Sequence, residues 1–337
     1  MQESNIQDIY AICRARGWDW REALDFSVCV NPLGPPEGVR EAVEAAAGDL
    51  HRYPERHPQE LAELAARRWG VKPERLIFGP GAAELLHLFA LAAWQGPVAV
   101  AIPTAGEILR AFPQALSVPA DNPEKWPQRG LLVLTHPNNP AGGSLPEGIL
   151  KRAVSMREGP VLVDESYQEF TRLESALGWV ETLSNLAVLR SLSKFYALPG
   201  IRLGALAMSA DWGAKLRKRR APWPVSVPAA AAFRAALSAG GYAERTRELV
   251  AAERGWLTGQ LQQMPGVFLS EGEANYLFLS LERDAAEVQS WLLDRHRILV
   301  RNCTGRPGVE GQAIRVAVRT RTENERLVAA ARELFCG

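Results

Sequence analysis

Five short apolar runs, RLIF, VAVAI, LLVLT, PVLV and LAVLRS, each break off abruptly. RLIF stops at Gly79, VAVAI at Pro103, LLVLT at the stretch HPNNPAGG, PVLV at Asp164, and LAVLRS runs into a loop that carries Lys194. None alternates apolar with polar side chains, so each run offers apolar groups to both faces of a strand. A sheet buried on both faces needs helices on both, and helices that cross over in this way join parallel strands. Helical patterns do separate the runs. In such sheets ligands sit at the carboxyl ends of the strands. Here every run ends in a candidate functional segment, so the ends are expected to converge on one site.

After about residue 225 the texture changes. The Ala-rich stretch PAAAAFRAALSAGGYAERTRELVAAERGWLTGQLQQM reads as long helices. ANYLFLSL follows as a strand, DAAEVQSWLLDRH as a helix, RILVR and AIRVAVR as strands, and ENERLVAAARELF as a closing helix. That order predicts a smaller α+β domain. The expected organisation is an N-terminal arm over 1–30, a large α/β domain over 31–225 with a mostly parallel sheet, and the small C-terminal domain over 226–337.

With 47% apolar and 23% charged residues, the 337-residue chain has enough apolar material for both domains. Its net charge of +1 gives no electrostatic case for nucleic acid or an anionic membrane. The basic cluster Lys215, Arg217, Lys218, Arg219 and Arg220 reads as a solvated helix face. The most apolar segment, LLHLFALAAW, falls short of the roughly 20 residues that a membrane span needs. Cys13, Cys29, Cys303 and Cys336 are scattered without metal or disulfide spacing, which fits a reducing compartment and no metal. MQESNIQDIY has neither a basic nor an apolar leader region. A cytoplasmic location is the expectation.

The chemistry concentrates in SLSKFYALPGIRLG, Ser191 to Gly204. A single lysine is ordinarily a solvated charge. This one lies beside Ser191 and Ser193, and Arg202 adds a planar fork suited to phosphate. Upstream, FGPGAAELL puts Gly81 in a turn before a helix, freeing the N–H groups of Ala82 and Ala83 for an anion. Together these describe a phosphate held beside a lysine. Asp164, at the end of a buried run, needs a cationic partner, and a protonated ring nitrogen is one. Asn139 and Tyr167 suit a phenolic oxygen on the same ring. Taken singly, Asn139 equally suits a turn and Asp164 a helix cap.

The ordered set Tyr53-Pro54, G-x-G-x-x-E (Gly79 to Glu84), NNP-x-G (Asn138 to Gly142), D-E-x-Y (Asp164 to Tyr167) and S-x-S-K with G-x-R-x-G (Ser191 to Gly204) resembles the fold-type I, pyridoxal-phosphate-dependent aminotransferases across essentially the whole chain. Within that family the pattern is similar to the threonine-phosphate decarboxylases of cobalamin biosynthesis, with the histidinol-phosphate aminotransferases next. LDFSxxxNPLGPP, RYP, VLRSLSKFYALPGIRLG, ANYLFL, ILVRNC and RVAVRTRTENERL carry that likeness.

The resemblance implies pyridoxal 5'-phosphate as cofactor, attached to Lys194 as a Schiff base, with Asp164 on the ring nitrogen and Asn139 and Tyr167 on the ring oxygen. It implies that Ser191, Ser193, Arg202, Gly81, Ala82 and Ala83 hold the phosphate, and that Tyr53 reaches the cofactor of a second subunit in a homodimer. Arg315, Arg301 and Asn31 are the implied contacts of a small anionic amino-acid substrate. An arginine in RVAVR equally suits an edge-strand surface charge. Decarboxylation and transamination differ in which bond to the substrate Cα stands perpendicular to the ring, and the substrate-binding arginines set that.

Three departures from the family pattern concern the surroundings of the ring and substrate. Ala105 and Ile108 stand where an aromatic normally stacks on the ring. Pro80 replaces an asparagine, and Cys29 replaces the partner of Asn31 while MQESN replaces a His-Gly-Gly. Trp223 is one candidate to cover the ring. The missing stack also motivates a third reading, a catalytically reduced, ligand-binding relative.

Overall fold

The computed structural model describes residues 8–146 and 148–337. The MQESN segment therefore lies outside the described residues. Thirteen strands are described, and seven form the central sheet: β2 (Leu76–Gly79), β3 (Val98–Ile102), β4 (Leu116–Pro119), β5 (Leu131–Thr135), β6 (Val161–Asp164), β7 (Leu186–Ser191) and β8 (Gly204–Met208). Their spatial order is β2-β8-β7-β6-β5-β3-β4. Successive residues of a strand go to opposite faces. Leu132, Leu134, Val161, Val163, Leu186 and Val188 enter one core, while Leu131, Val133, Leu162, Ala187 and Leu189 enter another on the opposite face. The absence of alternation in these runs is thus the signature of burial on both sides.

All pairings are parallel except those of β8, which runs antiparallel to both β2 and β7. β8 is the one central strand that the sequence reading absorbed into the lysine loop. Its antiparallel direction follows from its connection: β7 and β8 are joined by Leu192–Leu203, which turns back at the same edge of the sheet. β4 also went unread, because it is a short edge strand with Leu116 exposed. The register aligns Thr135 with Asp164, Asp164 with Leu189, and Gly204 with both Ser191 and Gly79. The ends named in the sequence therefore lie along one rim.

The helices Ala82–Ala92, Gly106–Ala111 and Ala210–Arg219 cover one face of the sheet, through Leu85, Phe89, Ile108 and Leu216. The helices Gln59–Trp69, Ile149–Ser155 and Val227–Ser238 cover the other, through Leu61, Val154 and Phe233. On the helix Ala210–Arg219, Lys215, Lys218 and Arg219 are exposed, as a solvated face requires. Arg220 differs: it donates to the Phe78 carbonyl at 2.9 Å.

The C-terminal sheet has the order β12-β13-β10-β9, from β9 (Val267–Leu269), β10 (Tyr276–Leu281), β12 (Arg301–Asn302) and β13 (Gln312–Ala317), and all its pairings are antiparallel. Its core gathers Leu277, Leu279, Val316, Leu292 and Leu327, with Phe26 from the N-terminal arm. RILVR, read as one strand, is two. Ile298–Leu299 (β11) pairs in parallel with Leu24–Asp25 (β1), and the chain crosses at buried Val300 so that Arg301 pairs with Arg315. That crossing fastens the arm to the small sheet and turns Arg301 toward the rim. Among the described residues no helix is long and apolar enough to cross a membrane.

Candidate active site

A cavity of about 530 Å³ opens at the rim, lined by side chains from the arm, the large sheet and the C-terminal sheet. The helix Ala82–Ala92 begins there. Its N-cap, Gly81, has φ +103° and offers no side-chain cap to the first-turn N–H groups. A Cβ at Gly81 would collide with the Arg202 guanidinium. Arg202 itself takes a left-handed φ of 61°, a conformation that costs a non-glycine residue about 1 kcal/mol or more. The strained arginine, the bare glycine and the uncapped helix start thus meet at one point, where an anion would find backbone and guanidinium donors together.

Lys194 follows within the four-residue helix Leu192–Phe195, and its Nζ lies 4.0 Å from the centroid of the Tyr167 ring. Tyr167 is buried and meets Tyr276 edge to face at 4.9 Å. Asp164 ends β6, and its Oδ1 accepts from both the backbone N–H and the hydroxyl of Ser166, which fixes the carboxylate plane. Ser191 lines the cavity as N-cap of the lysine helix. The Ser193 hydroxyl is engaged with Leu203, accepting from its N–H at 3.3 Å and donating to its carbonyl at 3.2 Å. It therefore closes the loop as well as lining the cavity.

Behind the rim, Glu165 and Arg190 form a buried ion pair at 2.9 Å. Glu165 also accepts from Ser175 Oγ at 2.7 Å and from the Ala176 N–H at 2.6 Å. Burial pushes the Glu165 carboxyl up, against the pull of Arg190. The pair ties the end of β6 to β7 one residue away from both Asp164 and Ser191.

Arg315, on β13, is buried. It donates through Nη1 to Asn139 Oδ1 at 2.6 Å and through Nη2 to the Ser27 carbonyl at 2.7 Å. It is a cavity arginine, not an edge-strand surface charge. Arg301, its cross-strand neighbour, also lines the cavity. Burial and the nearby Arg315 and Arg306 guanidiniums lower the proton affinity of Arg301. Cys29 reaches the lining from the arm.

Asn139, Asp164, Tyr167, Ser191, Ser193, Lys194, Arg202, Ala82, Ala83, Arg301 and Arg315 therefore share one cavity, with Gly81 beside it. Two sequence-derived candidates lie elsewhere. Asn31 is buried outside the lining: its amide donates to the Phe195 carbonyl, Tyr242 Oη and Thr246 Oγ1, and its backbone N–H donates to the Lys194 carbonyl. It braces the lysine loop from behind. Tyr53 is 78% exposed and stacks on Trp223 with centroids 4.3 Å apart. Trp223 thus stands with Tyr53 and outside the cavity lining. Ile108, offered as a ring-side residue, is fully buried in the core, whereas Ala105 lines the cavity. The sequence reading missed Ser166 and Arg306. DESY placed a serine two residues after the carboxylate, which is the spacing of an Asx turn.

Comparisons with known proteins bear on this geometry. Residues 111–330 match the family described as aminotransferase class I and II. The threonine-phosphate decarboxylase of Salmonella typhimurium is 33% identical, covering 94% of this chain and 92% of that protein. A histidinol-phosphate aminotransferase of Archaeoglobus fulgidus is 31% identical over 93% of this chain and 94% of its own length. The histidinol-phosphate aminotransferase of Sinorhizobium meliloti, solved in complex with pyridoxal-5'-phosphate, superposes with a TM-score of 0.88, covering 99% of this chain and 96% of that one. At 22% identity that likeness is one of fold.

Proposed function

Since the chain belongs to aminotransferase class I and II, we propose that it is a pyridoxal-phosphate enzyme that decarboxylates an O-phospho-amino acid. The substrate in this reading is L-threonine O-3-phosphate, the products are CO2 and aminopropanol phosphate, and the setting is cobalamin biosynthesis. The observation that carries it is the whole-length similarity to a threonine-phosphate decarboxylase, on a chain whose cavity is lined by arginines as well as Lys194.

The residues fit the cofactor. Gly81 leaves open a space that a Cβ would fill, against Arg202. Ser27 Oγ, Thr104 Oγ1 and Arg315 Nε, all from cavity residues, are buried and without partners among the described residues. Lys194 would hold the cofactor through Nζ, and Asp164 would face its ring nitrogen. Asn139 and Tyr167 would take its ring oxygen. Ser191, Ser193, Arg202 and the backbone at Gly81, Ala82 and Ala83 would take its phosphate. When bound, the cofactor supplies an electron sink for the pair left on the substrate Cα.

The chain's own residues decide what is left there. Arg315, held by Asn139 and Ser27, would offer a fixed fork to the substrate carboxylate and so orient it. In the decarboxylase reading the carboxylate would leave as CO2 and the Lys194 amine would return a proton to Cα. In the aminotransferase reading Lys194 would instead remove the Cα proton. The second reading, a histidinol-phosphate aminotransferase, is supported by the Archaeoglobus relative. A homodimer completes the proposal, with exposed Tyr53 reaching the partner subunit's cofactor.

The test is the visible spectrum of the purified holoenzyme with L-threonine O-phosphate added, and CO2 followed in the same sample. CO2 release with retention of the lysine-bound cofactor band supports the decarboxylase. Bleaching without CO2, reversed by a keto acid, replaces it with the aminotransferase. Absence of the band even with added cofactor refutes both and leaves a ligand-binding protein.

A further inference from the structure

We propose that Arg306 is a specificity-determining residue of this site, receiving the side-chain phosphate of the substrate while Arg315 receives its carboxylate. The inference rests on reading the substrate as an O-phospho-amino acid.

Among the described residues, the cavity lining holds six basic side chains, Arg110, Lys194, Arg202, Arg301, Arg306 and Arg315, and two carboxylates, Glu107 and Asp164. Glu107 is already committed to Arg110 and to His87 Nε2 at 2.8 Å. The Asp164 Oδ1 is committed to Ser166. Among the described residues, neither carboxylate of the lining is left to pair with Arg306, and an anionic ligand would supply that charge.

Arg315 and Arg306 differ in what they have left to give. Arg315 spends N–H groups on Asn139 and Ser27 and keeps a narrow edge, Nε included, for one carboxylate. The Arg306 side chain makes no hydrogen bond or ion pair with the described residues. All five of its N–H donors are uncommitted, which matches the three oxygens and double charge of a phosphate monoester. Burial weakens its hold on its proton, and the Arg315 and Arg110 guanidiniums push in the same direction. A dianion seated there would relieve that repulsion.

The backbone fixes where Arg306 stands. Its N–H donates to the Cys303 carbonyl at 3.3 Å, and its carbonyl accepts from the Val309 N–H at 2.9 Å. Gly308, at φ +79°, packs so closely on the end of β3 that a Cβ would sit 2.6 Å from Pro103 N. The turn is therefore jammed against the large domain, with Arg306 Nη1 4.0 Å from the Cβ site of Gly106. Ala105, the chain neighbour of Gly106, lines the same cavity as Arg306.

The test titrates the holoenzyme with L-threonine O-phosphate and with L-threonine, reading the cofactor spectrum, for the wild type, Arg306→Gln and Arg306→Lys. Arg306→Gln is expected to lose about 10- to 100-fold in affinity for the phosphate ester and under about threefold for L-threonine. Arg306→Lys, which keeps the charge without the fork, should recover part of the loss. Equal losses for the two ligands, or none for either, would overturn the assignment. So would a wild type that binds both ligands equally. CO2 release is scored separately: phosphate-selective binding that depends on Arg306, without CO2, refutes the decarboxylase and leaves the role of Arg306 intact.

Discussion

Replacing Gly204 by alanine tests the geometry on which the proposed cofactor site depends. Gly204 opens β8 and pairs with both Gly79 and Ser191, so it sits on the rim between the ends of β2 and β7. A Cβ there would lie 2.5 Å from Ala82 N, 2.7 Å from Gly81 C and 2.8 Å from Ala82 Cα. All three are backbone atoms, so no flexible side chain can yield. Reaching an ordinary contact of 3.4 Å requires the start of the helix Ala82–Ala92 to retreat by about 0.9 Å. Overpacking of this kind costs about 1–3 kcal/mol. Displacements near 1 Å in a positioning group can cost about a hundredfold in function. Urea unfolding of the cofactor-free protein should therefore show a loss of about 1–3 kcal/mol, and spectral titration should show cofactor affinity down by roughly tenfold or more. Gly200→Ala is the control, because a Cβ at Gly200 meets nothing within 4 Å. It should stay within about 0.5 kcal/mol of wild type. A Gly204→Ala protein with wild-type stability and cofactor affinity would refute the close approach of β8 to the turn.

Three further outcomes follow from buried groups. His136 is 4% exposed, and burial pushes its pKa from 6.5 down to about 4. The unfolded chain thus binds the proton more readily. This contribution to stability is whole above pH 6.5 and drains by roughly 3 kcal/mol as pH falls to about 4, so the wild type should lose more than His136→Gln between pH 7.5 and 4.5 in urea melts. Glu165→Ala strands Arg190 and should cost about 3–5 kcal/mol, whereas Glu165→Met with Arg190→Met should recover much of it; equal losses would contradict a desolvated pair. Asn31→Ala should cost roughly 2–4 kcal/mol and loosen cofactor retention while leaving the preference for phosphorylated over plain threonine unchanged; a selective loss of that preference would return Asn31 to the substrate.

The sequence made legible whatever is enforced locally. Runs such as LLVLT cannot face water on either side, so their place in a doubly covered sheet followed from composition alone. The lysine loop followed from residue types that rarely meet without an anion. Strand direction was less visible: β8 looks like its parallel neighbours because burial, and not direction, shapes its residues. The break at Val300 was invisible because Ile298, Leu299 and Val300 form one unbroken buried apolar run, though the residues on either side of Val300 pair in different sheets. Asn31 shows a further limit. An asparagine just past the arm can face a ligand or a backbone carbonyl with the same chemistry, and only packing against Tyr242 and Thr246 decides between them. Arg306 went unread for the converse reason. Its turn is marked by Gly305, Pro307 and Gly308, but the approach to Pro103 that aims it into the cavity joins segments about 200 residues apart.

The chain has six lysines, and the account assigns the cofactor to one of them. Reduction of the loaded protein with borohydride, followed by proteolysis and mass spectrometry, locates the attachment directly. The pyridoxyl-phosphate increment is predicted on the peptide containing Lys194 and nowhere else. An increment on any of the other five lysines, or on none, would contradict the central claim.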